Sequence, residues 1–174
     1  MEMSKTLRGV AIAGAISASV AATLVLEPAA PVTGPLVNAV LLITALRLGV
    51  SEAMIVGMVT PLAALLRGVL PLPLLVMTPF IALANATLVG VFGALRGRGR
   101  WLAVGAAAAC KFVVLYAAVT ILVARPLSLA MGGGAQAVAL PAALVEMMRW
   151  PQLATALLGG ALALTADAVW SRRG

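Results

Sequence analysis

One lysine, Lys111, sits ten positions into the apolar run that opens at Trp101. At ~1.5 Å per helical residue it lies roughly 15 Å along that segment, far from either end. An ionisable group at such depth in an apolar helix costs about 3 kcal/mol by insertion scales and normally faces a bundle interior or a cavity. One use for it is a cation that binds an anionic or carbonyl group of a ligand. The alternatives are a structural lysine paired with a helix carbonyl or an asparagine, and a lysine that snorkels to an interface. Asn38, Asn85 and Thr60 are the other polar groups set inside apolar runs, in GPLVN, TPFIALAN and TPLAA. They have either interhelical hydrogen bonds or ligand contact as their role. Pro35, Pro61 and Pro79 stand nearby, and a proline frees a backbone carbonyl that can line a cavity. Glu27, Glu146 and Arg149 fall in connecting segments, where a charge either selects a ligand or is simply solvated.

The remaining inventory excludes more than it offers. Histidine is absent, which removes imidazole acid–base chemistry, histidine haem ligation and most zinc sites. The single cysteine, Cys110, allows no internal disulfide and reads as a small hydrophobe. No GxSxG elbow, GxxxxGK[ST] loop, HExxH or paired acidic motif is present. No enzyme, cofactor or metal site is expected. The net charge of +7 comes from basic residues at segment ends, so it reports topology and gives nucleic acid no continuous basic face.

These residues need an apolar scaffold, and the composition supplies one. The chain is 63% hydrophobic and 10% charged, against about a quarter charged in a water-facing domain. A bilayer core needs roughly 20 apolar residues per helix. Over 174 residues this predicts an all-α integral membrane protein, a compact single bundle of six transmembrane helices. The segments are drawn at about 6–26, 35–48, 52–66, 74–95, 101–124 and 151–170, the second and third being short for spanning helices. Lys5 and Arg8 at the start of the first segment raise a cleaved signal peptide, but the prolines in EPAAP favour a retained helix. With the N-terminus inside, Lys5, Arg8, Arg47, Arg96, Arg98, Arg100, Arg172 and Arg173 are cytoplasmic, and Arg67, Arg125 and Arg149 lie outside. That bias places both termini in the cytoplasm of a multi-pass plasma-membrane protein. Trp101, Trp150 and Trp170 mark helix ends at the interface, and Asp167 suggests a local ion pair with Arg172 and Arg173. The outer connections are the longer ones, which points to a ligand site opening outward, with a short helix within 135–148 over its mouth.

The first segment carries small residues four apart on more than one face: Ala11 and Ala15, Gly14 and Ala18, Ser17 and Ala21. Small-xxx-small spacing lets another helix approach closely, whether in the same bundle or in a partner subunit.

Taken together, the six short helices, the basic cytoplasmic ends and the small-residue first helix resemble the substrate-binding S components of energy-coupling factor (ECF) transporters. So do the stretches GPLVNAVLLITALRLGVSEAMIVGMVTPLAALLRGVLPLP, TPFIALANATLVGVFGALR and CKFVVLY. The resemblance implies a membrane receptor that captures a vitamin-like micronutrient at the outer face. It would hand the molecule over with an ECF transmembrane coupling protein and two cytoplasmic ATPases. It also implies that Ala11 and Ala15, which match that family's AxxxA motif, contact the coupling protein. Two readings of other classes stay open, a structural or assembly subunit and a stand-alone secondary carrier.

Overall fold

The computed structural model describes residues 4–25, 32–66, 72–125, 128–131, 134–137 and 139–172. Among these, six long helices appear: α1 (Lys5–Val25), α2 (Thr33–Arg47), α3 (Val50–Leu66), α4 (Leu72–Leu95), α5 (Arg100–Ala124) and α7 (Trp150–Ser171). Each begins and ends within two residues of an apolar run drawn from the sequence. Between α5 and α7 lie an antiparallel hairpin, β1 (Ser128–Met131) with β2 (Gly134–Ala137), and the short α6 (Ala142–Met147). The helix expected within 135–148 thus occupies only its second half.

The punctuation is local chemistry. Gly49 adopts φ +133°, which helps turn α2 into α3 within two residues, and its N–H is donated to the Thr44 carbonyl. Pro151 sits in the first turn of α7, where a missing N–H costs nothing. Pro61 and Pro79 lie inside α3 and α4, so each helix has a carbonyl one turn earlier without its usual donor.

The helices form a ring, α1–α3–α4–α5–α7–α2, closed by α2 against α1, and α2 also reaches across to α3 and α4. Two apolar layers fill it. One joins Leu41, Leu42, Val56, Leu88, Val89 and Phe92 to a run of alanines on α5 and α7. The other joins Val76, Met77, Leu115, Val119 and Leu122 to Leu144, Val145 and Met148, so that α6 and the residue after it roof this layer.

The outside is apolar as well. Leu102 and Val113 are 61% exposed, Ile121 59% and Leu158 57%. Three helices, Leu75–Leu95, Arg100–Ala124 and Ala142–Ser171, are long and apolar enough to cross a membrane. Both features are compatible with a bilayer as solvent. Lipid tails give no hydrophobic drive between helices, so close packing and polar links must hold such a bundle. The glycines of α7 show the first device: a Cβ on Gly159 would lie 2.5 Å from Asn38 Cβ and 2.7 Å from the Pro35 carbonyl oxygen. Helices α2 and α7 meet backbone to backbone at this point.

The polar links gather at one end. Arg8 pairs with Glu52 at 2.7 Å and donates to the Leu48 carbonyl at 2.8 Å, while Arg96 donates to the Ala45 carbonyl at 2.9 Å. Two guanidinium groups therefore satisfy the bare carbonyls that end α2, where a helix dipole favours cations. Asp167 binds Arg47 at 2.7 Å and Arg100 at 2.8 Å, tying α7 to α2 and α5. The sequence suggested Arg172 and Arg173 as its partners. Arg173 lies outside the described residues, and the aspartate's ion pairs run to neighbouring helices instead.

Candidate functional site

Between the two apolar layers lies a polar one. On α5 the buried Ala107 and Ala108 belong to one layer and Leu115 to the other, with Lys111 between them. On α4 Asn85 separates Ala84 from Leu88 in the same way. Asn38 enters from α2, one turn ahead of Leu41 and Leu42. Lys111 is 4% exposed, Asn85 2% and Asn38 1%.

The geometry is specific. Lys111 Nζ donates to Asn38 Oδ1 at 2.6 Å and to Asn85 Oδ1 at 2.8 Å. Asn85 Nδ2 in turn donates to the Gly57 carbonyl at 3.0 Å. Gly57 stands four residues before Pro61, so its carbonyl is the one that proline deprives of a helical N–H. The asparagine fills that vacancy. Its orientation is then determined, because a flipped amide would set N–H₂ against the ammonium and oxygen against oxygen. Close approach makes the contact possible: a Cβ on Gly57 would lie 3.1 Å from Asn85 Cβ. Gly159 does the same for Asn38 from the α7 side.

Asn38 is oriented by the same electrostatic rule, with oxygen toward the ammonium, and this leaves its Nδ2 buried without a partner. Lysine carries three N–H donors and two are taken here. The layer therefore holds a lysine and a neighbouring amide whose donors exceed their acceptors. It can accept a hydrogen-bond acceptor.

The other expected site residues are placed differently. Thr60 is buried on α3, one turn beyond Gly57, and its hydroxyl donates to the Val56 carbonyl at 2.6 Å. That is local back-bonding within one helix. Glu146 and Arg149 pair with each other at 2.9 Å at the corner between α6 and α7, with the guanidinium 5.4 Å from the Tyr116 ring centre. Trp150 stacks on Phe112 beside them, centroids 4.9 Å apart. Glu27 lies outside the described residues. Ala11 and Ala15 are half-buried on α1, and Ala15 packs with Ile12 and Ile16 against the bundle. The small-residue stripe left facing outward runs through Gly14 and Ala18, below Val10.

Sequence reasoning missed the roles of Gly57, Gly159 and Asp167. The proline rule gives a signal for the first, since Pro61 points to the residue four before it. The other two act across helices, where sequence spacing is silent. Among the described residues no cluster of histidine, cysteine or carboxylate side chains could hold a metal ion. Comparison with family models, with curated proteins and with solved structures finds no match to this chain.

Proposed function

We propose that this protein is a membrane-embedded capture subunit of a micronutrient uptake system. In this reading it is a multi-pass plasma-membrane protein with six spanning helices, and its arginine-rich end and both termini are cytoplasmic. The ligand enters from the α6 end. A coupling membrane protein and two ATPases supply the energy that a chain without a phosphate loop lacks. The outward stripe of Gly14 and Ala18 on α1 suits close contact with such a partner.

One observation carries the reading: Lys111 is buried mid-bundle with the unpaired amide of Asn38 beside it. A purely supportive subunit gains nothing from a buried lysine whose layer is left with spare donors, because each unsatisfied group costs about 1–3 kcal/mol. A binding subunit needs such groups, since the ligand is what completes them.

Native mass spectrometry of the protein purified gently from its host tests this. A small molecule should co-purify and should be lost in Lys111→Met. Protein partners retained with no small molecule in either form would replace capture with an assembly role.

A further inference from the structure

The charges of the described residues, counted site by site, bear on what the polar layer lacks. Among the described residues the carboxylates are Glu52, Glu146 and Asp167, and each is bound by arginine. None reaches Lys111. Its two acceptors are neutral amide oxygens, and its surroundings are the alanines of one apolar layer and Leu115 of the other. Neutral dipoles solvate an ammonium only in part, and a buried ion without a counter-charge is costly.

A ligand that brings a negative charge as well as an acceptor would hold Lys111 as an ammonium, which burial otherwise opposes. A neutral carbonyl would engage the spare donors and leave the ammonium uncompensated. A dianionic phosphate would overshoot it by one charge. A carboxylate matches both requirements: its two oxygens are spaced much as the oxygen and nitrogen of an amide are. It can therefore span the third Lys111 N–H and Asn38 Nδ2 together, as charge-assisted bonds.

The rest of the ligand is constrained by the walls. On the arginine side the core is closed by Phe92 and Leu88 and stitched by ion pairs. On the other side lie Met77, Leu115, Leu144 and Met148, two of them from the α6 segment and two of them flexible methionines that repack easily. Resting on the capture reading above, we infer that the ligand is a monocarboxylate with a compact apolar body. Its carboxylate sits on Lys111 and Asn38, and its body lies in the layer beneath α6.

Three probes with the same phenyl body vary the head-group charge: phenylacetate, its near-isostere phenylacetamide, and phenethylamine. Each is added at millimolar concentration to the full-length protein in detergent, and thermal unfolding is followed by tryptophan fluorescence. Phenylacetate should raise the melting temperature, with an apparent Kd at least about tenfold tighter than the amide's, and the amine should do nothing. The near-isosteric Asn38→Asp supplies an internal counter-charge to Lys111, so it should stay folded and lose the phenylacetate response. Equal responses to the acid and the amide, no response to any probe, or a full response in Asn38→Asp would each overturn the assignment. A neutral or cationic molecule found by native mass spectrometry would overturn it too, while leaving the capture reading in place.

Discussion

Gly159→Ala is the sharpest test of how the polar layer is held. The added methyl would lie 2.5 Å from Asn38 Cβ, 2.7 Å from the Pro35 carbonyl oxygen and 3.0 Å from the Ala39 nitrogen. Carbon atoms in contact settle at roughly 3.5–4.0 Å, and two of the three obstacles are backbone, so rotamer changes give no relief. Helices α2 and α7 must part by about 1 Å, the scale set by those gaps. Overpacking of this kind costs about 1–3 kcal/mol. For a chain of this size, at roughly 2–4 °C per kcal/mol, the melting temperature should fall by about 2–12 °C. Asn38 rides on the displaced segment, so the phenylacetate response should weaken as well. Gly105→Ala is the control, since a Cβ there meets nothing within 4 Å. Removing that helical glycine should stabilise the protein by about 0.5–1 kcal/mol. Thermal unfolding of both variants in the same detergent decides the matter. If Gly159→Ala melts with the wild type while Gly105→Ala rises, the close crossing of α2 and α7 is wrong.

Three further outcomes follow from the same contacts. Lys111→Met should remain folded, because an apolar side chain of similar volume often replaces a buried charge at little net cost, and should lose all phenylacetate response in the melting assay. Pro61→Ala returns an N–H to compete for the Gly57 carbonyl, so Asn85 loses its fixed orientation; phenylacetate affinity should drop about tenfold in titrations with little change in melting temperature. Asp167→Asn should lower stability by about 1–2 kcal/mol, a modest figure because Arg47 and Arg100 keep solvent contact; melting curves at low and high salt should show the loss shrinking as salt screens the pairs.

Several helices were legible because Gly or arginine bounds the apolar run, as at Arg47, Gly49, Arg96, Gly99 and Arg125. The polar trio was legible in part. Lys111, Asn38 and Asn85 were singled out because each interrupts an apolar run, and the structure brings all three into direct contact. Thr60 looked equivalent by that rule, yet a threonine can satisfy itself on its own helix, as its bond to Val56 shows. Glu146 and Arg149 stand three apart and pair locally, which their spacing permits. The face of α1 could not be chosen, because alanine, glycine and serine recur on several sides and no periodicity singles one out. The partners of Asp167 come from α2 and α5, distant in the chain, and helix-level spacing carries no information about them. The β1–β2 pairing lies in a segment whose composition is neither strongly apolar nor strongly β-forming.

The two ends of the bundle are held by different forces, and this gives the site a direction. At the arginine end, opening would strip Arg8 and Arg96 from the carbonyls of α2 and separate Asp167 from two guanidinium groups. The arginines keep solvent contact, but the buried Asp167 carboxylate and the Ala45 carbonyl would lose their partners. At the other end, lifting α6 breaks mainly the dispersion contacts of Leu144, Val145 and Met148. The Glu146–Arg149 pair lies within the α6–α7 corner itself. Individual dispersion contacts are weak and re-form easily against another apolar body, whereas stranded charges find no substitute. The path of least resistance to Lys111 therefore runs under α6. Asn38→Asp leaves every one of these end contacts in place and changes only the charge facing Lys111, so its effect on phenylacetate reads the electrostatics of the layer apart from the architecture around it.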